Sequence, residues 1–177
     1  MNEARLHQGT IRYRESGTGE PVVLVHGLLT DGQLWREVAP RLARDFRVIA
    51  PDWPLGSHQL PLEPGADLSP PGLARMIADF ISQLELEEVT LVGNDPGGAL
   101  CQLVAAHHPE RLGRLVLTPC DADENFLPPA FRPLQMLAHV PGAILRPPRA
   151  AGWGRGSSRV RPRVRPRRGA RGHIRGR

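Results

Sequence analysis

The residues of this sequence with the most chemistry in them form one corner, Gly93-Asn94-Asp95-Pro96-Gly97. A strand-like run, Val89 to Val92, leads into it, and a helix-prone run, Ala99 to His107, leads out. A carboxylate is ionised at neutral pH, so an aspartate held at such a corner can attack carbon without a base to activate it. A base is needed only afterwards, to activate the water that releases the resulting ester. The competing reading makes Asp95 a helix N-cap, because Asp before Pro-Gly-Gly-Ala is an acceptable helix start. The strand before it and the helix after it favour the nucleophile.

No histidine stands out as the partner base. His107 and His108 end a helix, where a cation suits the dipole, and His58 lies on a loop rich in Pro and Gly. His173 sits in basic text near the carboxyl terminus and is not assigned. Cys101 and Cys120 lack the spacing of metal ligands and fall in apolar context, as buried thiols of a reducing cytoplasm do. Neither a metal nor a cofactor is expected.

The elements that must position this corner alternate between strand and helix. Thr10 to Arg14 reads as a short strand that ends in the turn signal Ser16-Gly17-Thr18-Gly19. Pro21 to His26, PVVLVH, is a continuous apolar run of the kind buried on both faces of a parallel sheet. After Asp31, a plausible N-cap, Leu34, Val38 and Leu42 recur at helical spacing up to Ala43. Phe46 to Ala50 is the next strand. A helix opens near Gly72 with Leu73, Ile77, Phe80, Ile81 and Leu84 along one stripe. Val89 to Gly93 and Leu112 to Leu117 complete the strands. Such alternation implies a parallel sheet with helices on both faces, and sites on such sheets gather at the carboxyl ends of the strands.

Three segments fall at those ends: His26-Gly27-Leu28-Leu29, Pro51-Asp52-Trp53-Pro54-Leu55-Gly56-Ser57-His58, and the Asp95 corner. In this order and at these spacings they resemble the α/β-hydrolase superfamily over about residues 8 to 145. The resemblance implies an α/β fold with a mostly parallel sheet flanked by helices, here its amino-terminal part with the last strands missing. It also implies a hydrolase acting on a small organic substrate. Gly93, Pro96 and Gly97 correspond to the elbow that carries a nucleophile in the pattern G-x-S-x-G, and aspartate in the serine position is similar to the haloalkane dehalogenase and epoxide hydrolase branches.

In some dehalogenases the acid that orients the histidine follows the next strand, which makes Asp121 the candidate triad acid, with Asp123 and Glu124 behind it. The alternative for Asp121 is a turn residue at a strand end, and both readings stand. The family's histidine lies after the last strand, beyond residue 145, so the base is absent from this chain.

The family's oxyanion hole uses the N–H of the residue after the nucleophile and one from the loop after the H-G strand. Pro96 has no N–H, which leaves Leu28 as the donor. The dehalogenase tryptophan and asparagine that hold halide are replaced by Pro96 and Leu28. Leu29 replaces the proline of the epoxide hydrolase H-G-x-P, and Tyr13 is the chain's single tyrosine. Neither specific activity is implied.

Charge divides the chain sharply. The first 145 residues hold eighteen acids and eleven arginines, a net of −7, while the last 32 hold twelve arginines and no acid. Residues 1–121 read as the hydrolase core and 122–145 as the start of a cap, where Phe126, Phe131, Leu134, Met136 and Leu137 form an apolar segment suited to a lid or a packed connector. Residues 146–177 lack any helical or strand period and read as a disordered tail. An arginine-rich arm can bind nucleic acid through its phosphates. A shifted reading frame in a GC-rich gene produces the same Arg, Gly, Pro and Ala text, and this second reading is preferred.

The expectation is therefore an incomplete, inactive hydrolase, and the alternative is a non-enzymatic pseudo-hydrolase or a nucleic-acid binder acting through its tail. No signal peptide or membrane span is visible, so a cytoplasmic protein is expected. Strand Leu112 to Leu117, without later strands to cover it, would be an apolar edge that invites self-association.

Overall fold

The structure is a computed structural model that describes residues 1–120. Asp121, the segment 122–145 and the tail 146–177 lie outside the described residues. Six strands form one sheet: β1 (Asn2–Leu6), β2 (Gly9–Ser16), β3 (Pro21–Val25), β4 (Arg47–Pro51), β5 (Val89–Gly93) and β6 (Leu112–Leu117). Their spatial order is β1-β2-β4-β3-β5-β6. The β1–β2 hairpin joins antiparallel to β4, and β4, β3, β5 and β6 run parallel. The helices are α1 (Ala39–Leu42), α2 (Pro70–Gln83) and α3 (Pro96–His107).

The central strands read as unbroken apolar runs because both their faces are covered. On one face Val23, Val25, Ile49 and Leu91 pack against Ile77, Phe80 and Ile81 of α2 and Leu100, Cys101 and Val104 of α3. On the other, Val22, Leu24, Val48, Ala50 and Val92 pack against Trp35, with Ala39, Leu42 and Phe46 at the margin. Phe80 is the hub of the first face, meeting the rings of Tyr13 and Trp53 edge-on at 5.4 and 5.2 Å. Truncating such a buried aromatic to alanine costs about 3–5 kcal/mol.

Helix α2 begins where its sequence says it should. Ser69 takes an extended conformation, its hydroxyl accepts the Gly72 N–H at 3.2 Å, and Pro70 and Pro71 occupy the first turn, where no N–H is needed.

The expected helix after Asp31 is not continuous. Asp31 caps a 3-10 turn over Gly32–Trp35, accepting the Gln33 N–H at 2.7 Å, and only the single turn of α1 follows. Pro40 explains the break: a helix running through it would lose a backbone bond and place the ring against the preceding turn. Trp35 is therefore the buried side chain of this segment, and Leu34 and Val38, expected on the apolar stripe, are 38% and 43% exposed.

Strand β1 is an element that the sequence pattern did not reveal. Of its five residues only Ala4 is fully buried, so its identity rests on pairing with β2 and not on its own hydropathy. At the other side of the sheet β6 has no strand beyond it among the described residues, and Leu115, Val116 and Leu117 are exposed.

Candidate active site

Adjacent parallel strands β4, β3 and β5 end side by side, which brings the three sequence segments together. The corner after β5 is the tightest of them. Asp95 has φ 55° and ψ −141°. This ψ keeps the residue out of the α region that a following proline disfavours. The positive φ is rare outside glycine and costs on the order of 1–3 kcal/mol.

The surrounding backbone holds this conformation. The Asp95 N–H donates to the Pro119 carbonyl at 3.0 Å and the Asn94 N–H to Val25 at 3.1 Å, while the Asp95 carbonyl accepts the Gly98 N–H at 2.9 Å. The Asn94 amide donates to Thr118 Oγ1 at 3.0 Å and to the Pro119 carbonyl at 3.3 Å. Thr118 in turn donates its N–H (3.0 Å) and its hydroxyl (2.9 Å) to the Gly93 carbonyl. Residues 118 and 119, at the end of β6, thus act as a bracket around the corner. Nothing in the local sequence signals this, since the bracket is assembled by strand pairing.

The Asp95 carboxylate makes no capping bond to α3. The N-cap alternative needs its oxygen to accept an N–H of the first turn, and that bond is missing. The carboxylate leans instead over Gly27: a Cβ on that glycine would stand 2.5 Å from Asp95 Oδ2 and 2.8 Å from Asp95 Cβ. A side chain at residue 27 and this placement of Asp95 exclude each other. Gly97 is equally constrained, because a Cβ there would stand 2.7 Å from the Val25 carbonyl oxygen.

The turn after β3 is organised by His26, which is fully buried. Its Nδ1 lies 2.9 Å from the Gly27 carbonyl and its Nε2 lies 2.8 Å from the Trp53 N–H. One nitrogen must donate and the other accept, so the ring is the neutral tautomer protonated at Nδ1. Burial lowers its pKa below the ordinary 6.5, against weaker opposing effects of the Gly27 hydrogen bond and of the Asp52 and Asp31 charges. The Thr30 hydroxyl donates to the same Gly27 carbonyl at 2.9 Å, and the Leu29 N–H, at φ 58°, donates to Leu55 at 2.8 Å. The loops after β3 and β4 are zipped by these bonds, and the Leu28 N–H has no backbone acceptor among the described residues. His26 was legible as half of an H-G pair; its use of both ring nitrogens was not.

Asp52 serves the scaffold. Its Oδ1 accepts from Arg14 at 2.8 Å and from the Gly32 N–H at 2.9 Å, which ties β2 and the 3-10 turn to the end of β4. His58 lines a small cavity with Thr10, Arg12 and Asp52 that does not include Asp95. His107 and His108 lie at the carboxyl end of α3, away from the corner at its start. No group of three His, Cys, Asp or Glu side chains converges among the described residues. Among the same residues no helix is long and apolar enough to cross a membrane.

Comparison with known proteins adds the wider frame. A family model described as the alpha/beta hydrolase fold matches residues 20–168, a range that crosses Arg146, where the composition changes. A 2-hydroxy-6-oxo-2,4-heptadienoate hydrolase of Pseudomonas putida is 44% identical over 105 residues, covering 57% of this chain and 37% of the relative. Haloalkane dehalogenase 2 of Mycobacterium bovis is 34% identical over 110 residues, covering 62% of this chain and 38% of the relative. Among solved structures, an alpha/beta hydrolase fold protein of Burkholderia ambifaria superposes with a TM-score of 0.68 at 28% identity, covering 78% of this chain and 50% of its own. The epoxide hydrolase CorEH gives 0.64 at 26% identity, covering 77% and 49%. The chain thus spans well under half the length of these two curated relatives.

Proposed function

Since the chain belongs to the alpha/beta hydrolase fold family, we propose that it is built for hydrolysis of a small organic substrate with Asp95 as the nucleophile. The observation that carries this reading is the Asp95 carboxylate itself. It is held at φ 55°, makes no capping bond and lies against Gly27. A residue kept only to start a helix has no use for that strain.

In the proposed step an oxygen of Asp95 attacks an electrophilic carbon, the bond from that carbon to its leaving group breaks, and a covalent ester remains. Leu28 is the one loop donor for a developing oxyanion, because Pro96 offers no N–H. Losing one such donor costs on the order of 2.7–4 kcal/mol where an oxyanion forms. Displacement at an alkyl carbon forms none at the carbonyl position, so alkylating substrates suit this corner better than acyl ones. Release of the ester needs a base. His26 has both ring nitrogens engaged, and Asp121 is proposed as the acid that would orient a base supplied from outside the described residues. Until such a base acts, the reaction is expected to pause at the ester.

The relatives' names span several reactions on small molecules, which supports the substrate size and not a particular bond. The exposed edge of β6 supports self-association of the chain, whereas binding of nucleic acid through the tail has only composition behind it.

The test is direct. Incubation with a reactive alkyl halide or an epoxide is expected to add one alkyl mass to the peptide that contains Asp95, and Asp95→Asn to abolish the adduct. A peptide that stays unmodified with both reagent classes would reduce the corner to scaffold and leave a non-enzymatic pseudo-hydrolase.

A further inference from the structure

The bracket that holds the elbow ends in a thiol. Cys120 packs directly on the first turn of α3: a Cβ added to Gly98 would collide with Cys120 Cβ and stand 2.8 Å from its Sγ. One helical turn further along, Cys101 is completely buried. Its Sγ would stand 2.8 Å from a Cβ on Gly93, and that same point lies 2.6 Å from Gly98 Cα. Both sulfurs therefore border one seam, the contact between Gly93 of β5 and Gly98 of α3. Residues three apart on a helix have Cβ atoms about 5–6 Å apart, and Cys120 occupies the place where a Gly98 side chain would begin. Cys120 Cβ lies 2.4 Å from that place, so the two cysteine Cβ atoms stand about 3–8 Å apart, a range that contains the roughly 3.5–4.5 Å a disulfide spans.

We propose that Cys101 and Cys120 form a redox pair whose disulfide shifts the bracket at the nucleophile corner. The regulatory meaning rests on the reading of Asp95 as nucleophile; the bond itself does not. The two thiols differ in character. Cys120 is half-buried, while burial first, and the neighbouring Cys120 second, push the Cys101 thiol up. Cys120 is the thiol that a dissolved oxidant can reach, so it reacts first. Its sulfur attacks a small disulfide of the glutathione class, forming a mixed disulfide and releasing one thiol. Cys101 then attacks Cys120 Sγ, the Cys120–glutathione S–S bond breaks, and the departing thiolate takes up the Cys101 proton and leaves as the second thiol. The protein loses two protons and two electrons, and the oxidant is reduced to two thiols.

The coupling to the site runs through residues 118 and 119. Drawing Cys120 toward Cys101 displaces the Pro119 carbonyl that accepts the Asp95 N–H and the Thr118 hydroxyl that accepts from Asn94. These are the bonds that hold Asp95 at a positive φ.

The experiment treats the native 177-residue chain with oxidised glutathione and reads intact mass and peptide maps. Loss of two hydrogens with a Cys101–Cys120 linked peptide is expected, and Cys101→Ser should instead retain glutathione on Cys120 because its resolving thiol is gone. Wild-type chain that stops at glutathione on Cys120, or that links through cysteine to a second chain, overturns the pairing. Alkylation of Asp95 then separates the two ideas. If the reduced chain alkylates, the oxidised chain should do so on the order of a hundredfold more slowly, as a small misplacement of a reacting group allows, and an equal rate would refute the coupling. If neither alkylates, the nucleophile reading and with it the coupling fail, while the linked peptide still decides the pairing.

Discussion

The turn after β3 and the turn after β5 lie side by side at the ends of paired parallel strands, and they are built in opposite ways. After β3 a buried side chain positions backbone: His26 grips Gly27 and Trp53, and the Leu28 N–H is left facing no carbonyl among the described residues. After β5 backbone positions a side chain: Pro119, Val25 and Gly98 hold the main chain of Asn94 and Asp95, and the Asp95 carboxylate makes no capping bond. The first arrangement is sensitive to protonation, because an imidazole can change state. The second is sensitive to volume, because it works only where glycines let chains approach closely.

Volume should give the larger effect. Gly27→Ala places a methyl 2.5 Å from Asp95 Oδ2, and the carboxylate must rotate away. Alkylation of Asp95 is expected to fall on the order of a hundredfold, with a stability loss of about 1–3 kcal/mol from overpacking. Urea unfolding together with adduct mass measures both. Unchanged alkylation would mean that the two turns do not constrain one another.

Protonation comes second. His26 is neutral in the fold with its pKa lowered from 6.5, so the unfolded chain takes up a proton first as the pH falls. Stability is then indifferent to this group well above 6.5 and declines as pH drops below it toward the lower folded pKa. His26→Gln should cost about 1–3 kcal/mol at neutral pH, since a buried donor or acceptor is left without its partner, and should remove this part of the acid slope. A slope that survives the substitution would assign the pH dependence elsewhere.

The smallest effect has the opposite sign. Asp95→Gly relieves a positive φ, and after the entropic penalty of glycine the chain should gain about 1 kcal/mol while losing the adduct entirely. Thermal unfolding that shows a loss of stability instead would indicate that the Asp95 side chain supports the fold.

The same contrast explains what could be read from residue types. Strands β3, β4 and β5 and helices α2 and α3 were legible because burial on a face writes itself into local apolar patterning, and Ser69 and the prolines mark a helix start. The corner was legible because glycine and proline punctuate it. The segment after Asp31 misled, since Leu34, Val38 and Leu42 keep a helical spacing that Pro40 and the Asp52 bond to Gly32 override. Strand β1 was hidden because an edge strand with one buried side chain carries almost no period. The positive φ of Asp95, the bracket at 118–119 and the seat of Cys120 on Gly98 were out of reach for another reason. Each depends on which strand pairs with β5, a choice made far away in sequence. Asp121 lies just past the last described residue.

The strand order carries a consequence for synthesis. β3 sits between β4 and β5, both of which follow it in the chain. As the polypeptide leaves the ribosome, PVVLV emerges with neither neighbour available, and it acquires one only when Arg47–Pro51 appears and the other when Val89–Gly93 appears. Until then its two hydrogen-bonding edges are open, and chains emerging from adjacent ribosomes can occupy them. The two turns that make the candidate site cannot meet before the second of these pairings, so the Asp95 corner is a late product of translation, formed after the hairpin of β1 and β2 and the β2–β4 ladder can already exist.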